Sequence, residues 1–467
     1  MGSRGERRSE GAGADAPGGR WADAANVSLL ADLYELTMLE AYLAEGMAEE
    51  AVFSLFVRRL PRRRNYLVAA GLEDALRMLE ELRFGGESLE YLASLRLFSE
   101  RTLRWLESFR FSGDVHALPE GTPLFGGEPI LEVVAPLPEA QIVETCLMNQ
   151  IHLQTVAASK AARVVAAARG RTVVDFGLRR MHGADAGIKV ARACYLAGVD
   201  STSNLLAGRL YAIPVAGTMA HSYVQAHDGE LEAFRAFARA YPRTVLLVDT
   251  YDTAEGVRNV VRLARELGSR FQVSAVRLDS GDLDALSREA RRLLDEAGLG
   301  KVGIFASGGL DEEAVDRLVR AGAPIGGFGV GTALGVSEDA PALDVAYKLV
   351  SYAGRGRLKL SPGKEILPGR KQVFRLEQAG KAERDLLASR EEELPGRPLL
   401  APAMRAGRRL PGPTLEEARA RARTERDLLP ERLLGLGPVD PPYPVEVSVT
   451  LRALADRVAR SAPGRGR

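Results

Sequence analysis

The chain has little cysteine, histidine or lysine. Of its 467 residues two are cysteine and five histidine, and only 8 of the 63 basic residues are lysine. Two cysteines exclude both a disulfide framework and a cysteine-rich zinc site. Cys146 and Cys194 each lie in an apolar helical pattern, where a small buried side chain is the expectation. No apolar run approaches the roughly 20 residues that span a bilayer, and the N-terminus lacks the apolar core of a signal peptide. A cytoplasmic address, with no membrane partner, is therefore expected. Nor does one sign of charge prevail: 63 basic against 62 acidic residues leave a net +1, which gives nucleic acid no electrostatic hold. What is abundant is core, with 46% hydrophobic residues over a length that suits two domains.

The chain is organised around residues 244–332. Apolar, β-branched runs at 245–248, 273–278, 302–306 and 325–330 recur at near-regular intervals and read as strands. Between them lie amphipathic helices. Thr253 is the expected N-cap of one whose stripe is Val257, Val260, Val261, Ala264 and Leu267, and Gly268 ends it. The next carries Leu283, Leu286, Ala290, Leu293 and Leu294 and stops at Gly298; a third opens at Asp311 and closes at Gly322. Strand–helix units in register predict a parallel β/α barrel, whose strand C-termini open on one face and carry the active site. The four strands end in Asp249-Thr250-Tyr251-Asp252, Asp279-Ser280-Gly281-Asp282, Ser307-Gly308-Gly309 and Gly329-Val330-Gly331-Thr332.

The remaining segments flank this repeat. Residues 1–25, with almost no large apolar side chains, are expected to be a disordered tail. Residues 26–137 read as an α+β N-terminal domain, completed by 345–467. Ser28 is the expected cap of a helix bearing Leu29, Leu33, Leu36, Leu39 and Leu43, with Tyr34 near its start. Five arginines between Arg58 and Arg64 read either as a solvated loop or as a basic lip. Helices are expected at 415–423 and 444–460. The barrel domain is placed at 138–344, entered through a long Ala-rich helix, with further strands at 172–176, 198–201 and 213–216. Arg179 and Arg180 follow the first of these ahead of a helix. His221 follows the last, a turn into a helix just past Gly217.

At the strand ends the sequence thus supplies anion binders (Arg179, Arg180, Arg277), carboxylates (Asp175, Asp249, Asp252, Asp279, Asp282), a histidine and two glycine-rich turns. Glycine lets backbone amides approach phosphate oxygens, and late-strand loops of β/α barrels are the usual phosphate position. A phosphorylated sugar is the natural guest.

The strings Ala31-Asp32-Leu33-Tyr34-Glu35-Leu36-Thr37-Met38, Phe176-Gly177-Leu178-Arg179-Arg180, Gly217-Thr218-Met219-Ala220-His221-Ser222, Val248-Asp249-Thr250-Tyr251-Asp252, Arg277-Leu278-Asp279-Ser280-Gly281-Asp282, Ser307-Gly308-Gly309 and Phe328-Gly329-Val330-Gly331-Thr332 resemble, in order, the signature set of nicotinate phosphoribosyltransferases. The resemblance spans residues 31 to about 375. It implies an α/β protein with an irregular β/α barrel packed on the α+β domain, and a homodimer with its site near the subunit interface. It further implies that nicotinate and phosphoribosyl pyrophosphate, with Mg²⁺ as cofactor and ATP as co-substrate, give nicotinate mononucleotide and pyrophosphate in NAD salvage. Carried over residue by residue, it implies that Tyr34, Thr218 and Arg277 contact nicotinate, and that Arg179, Gly308, Gly309, Gly331 and Thr332 hold the phosphoribosyl group. Asp249 and Asp279 would then be catalytic acids near ribose, metal or ring, and His221 the catalytic histidine that accepts phosphate from ATP. Some members carry a cysteine-based zinc site, which this chain cannot build. Quinolinate- and nicotinamide-using enzymes of similar fold are the rivals, with a ligand sensor as the non-enzymatic one. The chain's length and the His221 string disfavour the first, Arg277 as partner for an acid the second, and His221 itself the third.

Overall fold

The computed structural model describes residues 26–361 and 366–461; the tail expected at 1–25 lies outside them. Six short parallel strands form one sheet, in the spatial order Ser201–Thr202, Thr172–Asp175, Gly327–Val330, Gly303–Ala306, Ala275–Leu278 and Val245–Leu247. Consecutive strands are neighbours except Ser201–Thr202 and Val245–Leu247, which are the two edges, and the last in the chain returns beside the first: Phe328 pairs with Val173 and Val330 with Asp175. That is the pairing of a barrel. Its seam stays open, because residues 213–216 form no strand and only Val215 bridges to Thr202, leaving the edge at Val245 unpaired. The architecture is a half-barrel parallel sheet in a mixed α/β protein.

Helix starts are fixed by aspartates. Asp252, not Thr253, caps the helix Thr253–Leu267, its side chain accepting from Glu255 N at 2.8 Å. Asp282 caps Leu283–Glu296 and Asp311 caps Glu312–Arg320 in the same way. A carboxylate there satisfies amides that the first turn leaves unpaired and meets the positive end of the helix dipole.

The second sheet is antiparallel. Glu50–Val57 lies between Pro129–Pro136 and Val345–Tyr352, and Asp114–Ala117 between Pro129–Pro136 and Ala401–Arg405. Chain from beyond the barrel thus supplies strands on both sides. The long helix Glu144–Ala168 joins the two cores. Its first half (Leu147, Ile151, Val156) is buried in the core of the antiparallel sheet, and its second half (Ala158, Ala161, Val164, Ala168) in that of the parallel sheet.

Two local expectations shift. Ser28 caps nothing; it is buried in a 3-10 turn, donates to Ser88 Oγ at 3.1 Å, and the helix runs Leu33–Glu45. The helix expected at 444–460 begins instead as the strand Val445–Val447, parallel to Lys381–Ser389. Ser448 Oγ then accepts from Leu451 N and opens the helix Val449–Ser461.

Candidate active site

Arg277 sits on the strand Ala275–Leu278, 9% exposed. Its Nη1 donates to Asp279 Oδ1 at 2.9 Å and to Ser307 Oγ at 3.1 Å, and its Nη2 to the Met219 carbonyl at 2.7 Å. Nε is buried and donates to nothing. Three of five N–H donors are therefore engaged, leaving Nε–H and one on Nη2, neighbouring nitrogens that a carboxylate can bridge. Burial lowers the guanidinium pKa; Asp279 and Asp249 oppose this, and the charge of nearby Arg179 adds to it. Such a group gains from an anion brought beside it.

Asp279 joins the elements. While Oδ1 holds Arg277 and the Ser307 hydroxyl, Oδ2 lies 3.8 Å from His221 Nε2. The other ring nitrogen of His221, Nδ1, is 3.2 Å from Thr250 Oγ1 on the next strand end. Asp249 lies behind: its Oδ2 accepts from Asp279 N and from Ser280 Oγ, both at 2.8 Å. Thr218 donates to the Met219 carbonyl that Arg277 also uses.

Opposite these groups a cleft of about 180 Å³ is lined by Arg179, Arg180, Arg277, Asp279, Ser307, Gly308, Gly309, Gly331 and Thr332, with Glu338 at its margin. Gly308 has φ +85°, and a Cβ on it would come within 1.6 Å of the Asp279 carbonyl, so only glycine fits. Gly309, φ +60°, would meet nothing within 4 Å; its backbone faces open space. Arg179 and Arg180 are exposed and form no hydrogen bond or ion pair through their side chains among the described residues.

Of the expected site residues, Arg179, Arg277, Asp279, Gly308, Gly309, Gly331 and Thr332 thus share one cleft, with His221, Thr218 and Asp249 bonded to or beside its walls. Tyr34 does not join them. It is 45% exposed on the helix Leu33–Glu45 of the other domain, where partial burial and the carboxylates of Glu144 and Glu35 raise its phenol pKa. Three of the carboxylates expected at the strand ends have other work. Asp252 and Asp282 are helix caps, and Asp175, 1% exposed, accepts from Gly177 N and the Thr202 hydroxyl to brace the loop ahead of Arg179. The five-arginine loop is partly solvated: Arg59, Arg62 and Arg63 are exposed, Arg63 with Glu313 beside it, whereas Arg58 pairs with Asp344 and the buried Arg64 with Asp339. Sequence reasoning passed over Ser307, Thr250 and Glu338; the polar residue directly after a strand was the available signal for the first two.

Among the described residues no group of three or more His, Cys, Asp or Glu could hold a metal alone. Asp249 Oδ1, however, is buried without a hydrogen-bond partner. Magnesium needs only one or two protein carboxylates when substrate phosphates supply the other ligands, and Asp249 and Asp279 fit that arrangement.

Two family models match the chain: the nicotinate phosphoribosyltransferase N-terminal domain over residues 29–152 and the nicotinate phosphoribosyltransferase family over 172–358. The Mycobacterium tuberculosis nicotinate phosphoribosyltransferase pncB2 is 59% identical over 423 residues, 90% of this chain and 91% of that protein. The Bacillus subtilis nicotinate phosphoribosyltransferase is 42% identical over 75% of this chain and 73% of its own length. Among solved structures, human nicotinic acid phosphoribosyltransferase superposes with a TM-score of 0.83 at 31% identity, covering 91% of this chain and 99% of that one.

Proposed function

Because this chain belongs to the nicotinate phosphoribosyltransferase family, we propose that its barrel-mouth cleft couples ATP hydrolysis to nucleotide synthesis through His221. The reaction itself follows from the membership: nicotinate and phosphoribosyl pyrophosphate give nicotinate mononucleotide and pyrophosphate, a step of NAD salvage. The pyridine nitrogen attacks the anomeric carbon as the bond from that carbon to the pyrophosphate oxygen breaks. Positive charge gathers on the sugar and negative charge on the leaving group. Catalysis is therefore orientation plus electrostatics.

Arg277 holds the nicotinate carboxylate through its unengaged Nε–H and Nη2–H, with Thr218 beside it. The turns Gly308-Gly309 and Gly331-Thr332, with Arg179, hold the phosphoribosyl phosphate by backbone amides and guanidinium. The carboxylate of Asp279 faces the sugar, where cationic charge develops, and Asp249 behind it holds the Asp279 backbone in place. Mg²⁺ carried by the substrate phosphates would neutralise the departing pyrophosphate.

The observation that carries the coupling is that one carboxylate spans two functions: Asp279 Oδ1 holds Arg277 and Oδ2 faces His221 Nε2. With Nδ1–H donating to Thr250, Nε2 presents its lone pair to the γ-phosphorus of ATP; the P–N bond forms as the bond to ADP breaks. A phosphate there repels Asp279 and alters its hold on Arg277, which changes substrate affinity. Support for a homodimer comes from two sets of exposed apolar side chains, Leu30, Leu33 and Tyr34 at and just ahead of the start of the first helix and Leu205, Leu206, Leu210 and Val215 by the barrel mouth, the last four each at least 50% exposed. In a symmetric pair each set can cover the other, and Tyr34 of one copy reaches the partner's cleft.

The test is mononucleotide formation from nicotinate and phosphoribosyl pyrophosphate with Mg²⁺, with and without ATP. Wild type should be stimulated by ATP, while His221→Ala should retain a basal rate that ATP does not change. Stimulation that survives in His221→Ala removes the histidine from the coupling.

A further inference from the structure

Beneath the two glycine turns lies a buried charged cluster that the reaction does not touch. Lys160, 1% exposed in the middle of the helix Glu144–Ala168, donates to Glu312 Oε2 and, at 2.8 Å, to Asp339 Oδ1. Glu312, 3% exposed, is the first residue of the helix that follows Gly308-Gly309. Asp339 closes the loop after the short helix Thr332–Gly335. A single ammonium thus ties the segment behind one turn to the segment behind the other.

The outer contacts complete the clamp. Arg163, one turn along the same helix, donates from Nε to Glu312 Oε1 at 2.8 Å. Arg64, from the arginine loop of the other domain, donates from Nη1 to Asp339 Oδ2 at 2.5 Å and from Nη2 to Asp339 Oδ1 at 3.0 Å. Arg64 Nη2 also reaches Ser337 Oγ at 3.3 Å. Ser337 is a non-glycine residue at φ +46°, a conformation that needs support from its surroundings. Burial opposes ionisation of Asp339, but the bonds from Arg64 and Lys160 outweigh it and hold the carboxyl well below its usual range.

Buried ion pairs add little net stability, because desolvation offsets attraction; what they supply is direction. We infer that Lys160 is a positioning residue for the phosphate of the phosphoribosyl group: it sets the separation of the Gly308-Gly309 and Gly331-Thr332 turns, with Arg64 steadying the second from the N-terminal domain. This rests on the reading of those turns as the phosphoribosyl cradle. A small widening of the cradle misplaces the amides on one phosphate without altering the nicotinate or pyrophosphate contacts.

The experiment compares wild type, Lys160→Met and the milder Asp339→Asn by calorimetric binding of ribose 5-phosphate and of pyrophosphate, together with KM for each substrate. Asp339→Asn leaves the Lys160–Glu312 bond in place, so it reports even where Lys160→Met fails to fold. Both variants should bind ribose 5-phosphate about 10- to 100-fold more weakly and raise KM for phosphoribosyl pyrophosphate to match. Pyrophosphate binding and KM for nicotinate should stay within about twofold. Equal weakening of ribose 5-phosphate and pyrophosphate would mean a merely structural cluster and overturn the inference, as would unchanged ribose 5-phosphate binding in Asp339→Asn. Wild type that does not bind ribose 5-phosphate sinks the cradle reading, and this inference with it.

Discussion

The two ends of the parallel strands each carry a cavity with arginine in its walls, and the larger is the less suited to a ligand. At the N-terminal ends, about 790 Å³ opens beside Arg169, Arg419, Arg423 and Arg426, against the helix Leu415–Leu428. At the C-terminal ends the cleft holds about 180 Å³. In the large cavity the arginines are mostly occupied by the protein. Arg419 donates to the carbonyls of Tyr195, Val199 and Gly198 and lies 4.3 Å from the Tyr195 ring centroid; Arg426 pairs with Asp427 and Arg169 with Asp316. In the small cleft Arg179 and Arg180 are unpaired among the described residues and Arg277 Nε is buried without a partner, as is Asp249 Oδ1 beside the cleft. Polar atoms left unsatisfied inside a fold mark a ligand site better than volume does, because leaving them so costs stability.

One pair of substitutions can break that contrast. Arg277→Ala should lower kcat/KM by roughly two to three orders of magnitude, and, because it leaves Asp279 and the Met219 carbonyl without their partner, it should also cost about 1–3 kcal/mol of stability. Arg419→Ala should affect stability alone. It deletes carbonyl partners and a cation–π contact, at a cost of about 2–3 kcal/mol by denaturant titration, and leaves kcat/KM within about twofold. If Arg419→Ala abolishes turnover while remaining folded, the large cavity is functional and the contrast is wrong.

The sequence showed one side of this contrast better than the other. The strand–helix repeat was legible because its signals are local: apolar runs, stripes at helical spacing and glycine stops. The polar strand ends that share the cleft were legible for the same reason. Long-range pairing was not. Nothing near residue 57 indicates that Glu50–Val57 pairs with Val345–Tyr352, and nothing near 215 shows that a run of strand-forming residues makes only a single bridge. Charge was misread where it depends on a distant partner. Arg64 belonged to an arginine-rich loop and became a buried clamp, Lys160 stood unnoticed in an Ala-rich helix, and Asp252 and Asp282, legible as caps from their positions, were grouped with the strand-end carboxylates.

Whether one chain completes the small cleft can be tested directly. Tyr34 lies on a different domain and does not line the cleft that holds Arg277. If the partner copy supplies it, Tyr34→Ala and Arg277→Ala each disable both sites of their own homodimer. Mixing and reassociating the two proteins should then regenerate about a quarter of wild-type activity, since half the dimers are mixed and one of the two sites in each mixed dimer receives Arg277 from one chain and Tyr34 from the other. Mixtures no more active than the separate variants would place Tyr34 outside the site.

Orphaned atoms need the company of a cleft, and Glu35 supplies the smallest test of that condition. It is 0% exposed on the first helix; Oε1 accepts from Thr145 N at 3.0 Å and from the Thr145 hydroxyl, while Oε2 is buried and unpartnered. Burial pushes its carboxyl up from 4.5 to about 7, with Glu144 and Asp32 adding to the rise and Thr145 opposing it. A folded-state pKa above the unfolded one means that the protonated form stabilises the fold. Its contribution is complete below about pH 4.5 and is lost as pH rises through about 7. The loss should be on the order of 1–3 kcal/mol. Glu35→Gln stays neutral throughout, so its denaturant midpoint should hold between pH 5.5 and 8 where wild type declines, and should exceed wild type at pH 8. An unchanged slope in Glu35→Gln would mean that Glu35 is ionised in the fold across this range, with the charge of the missing partner met by solvent.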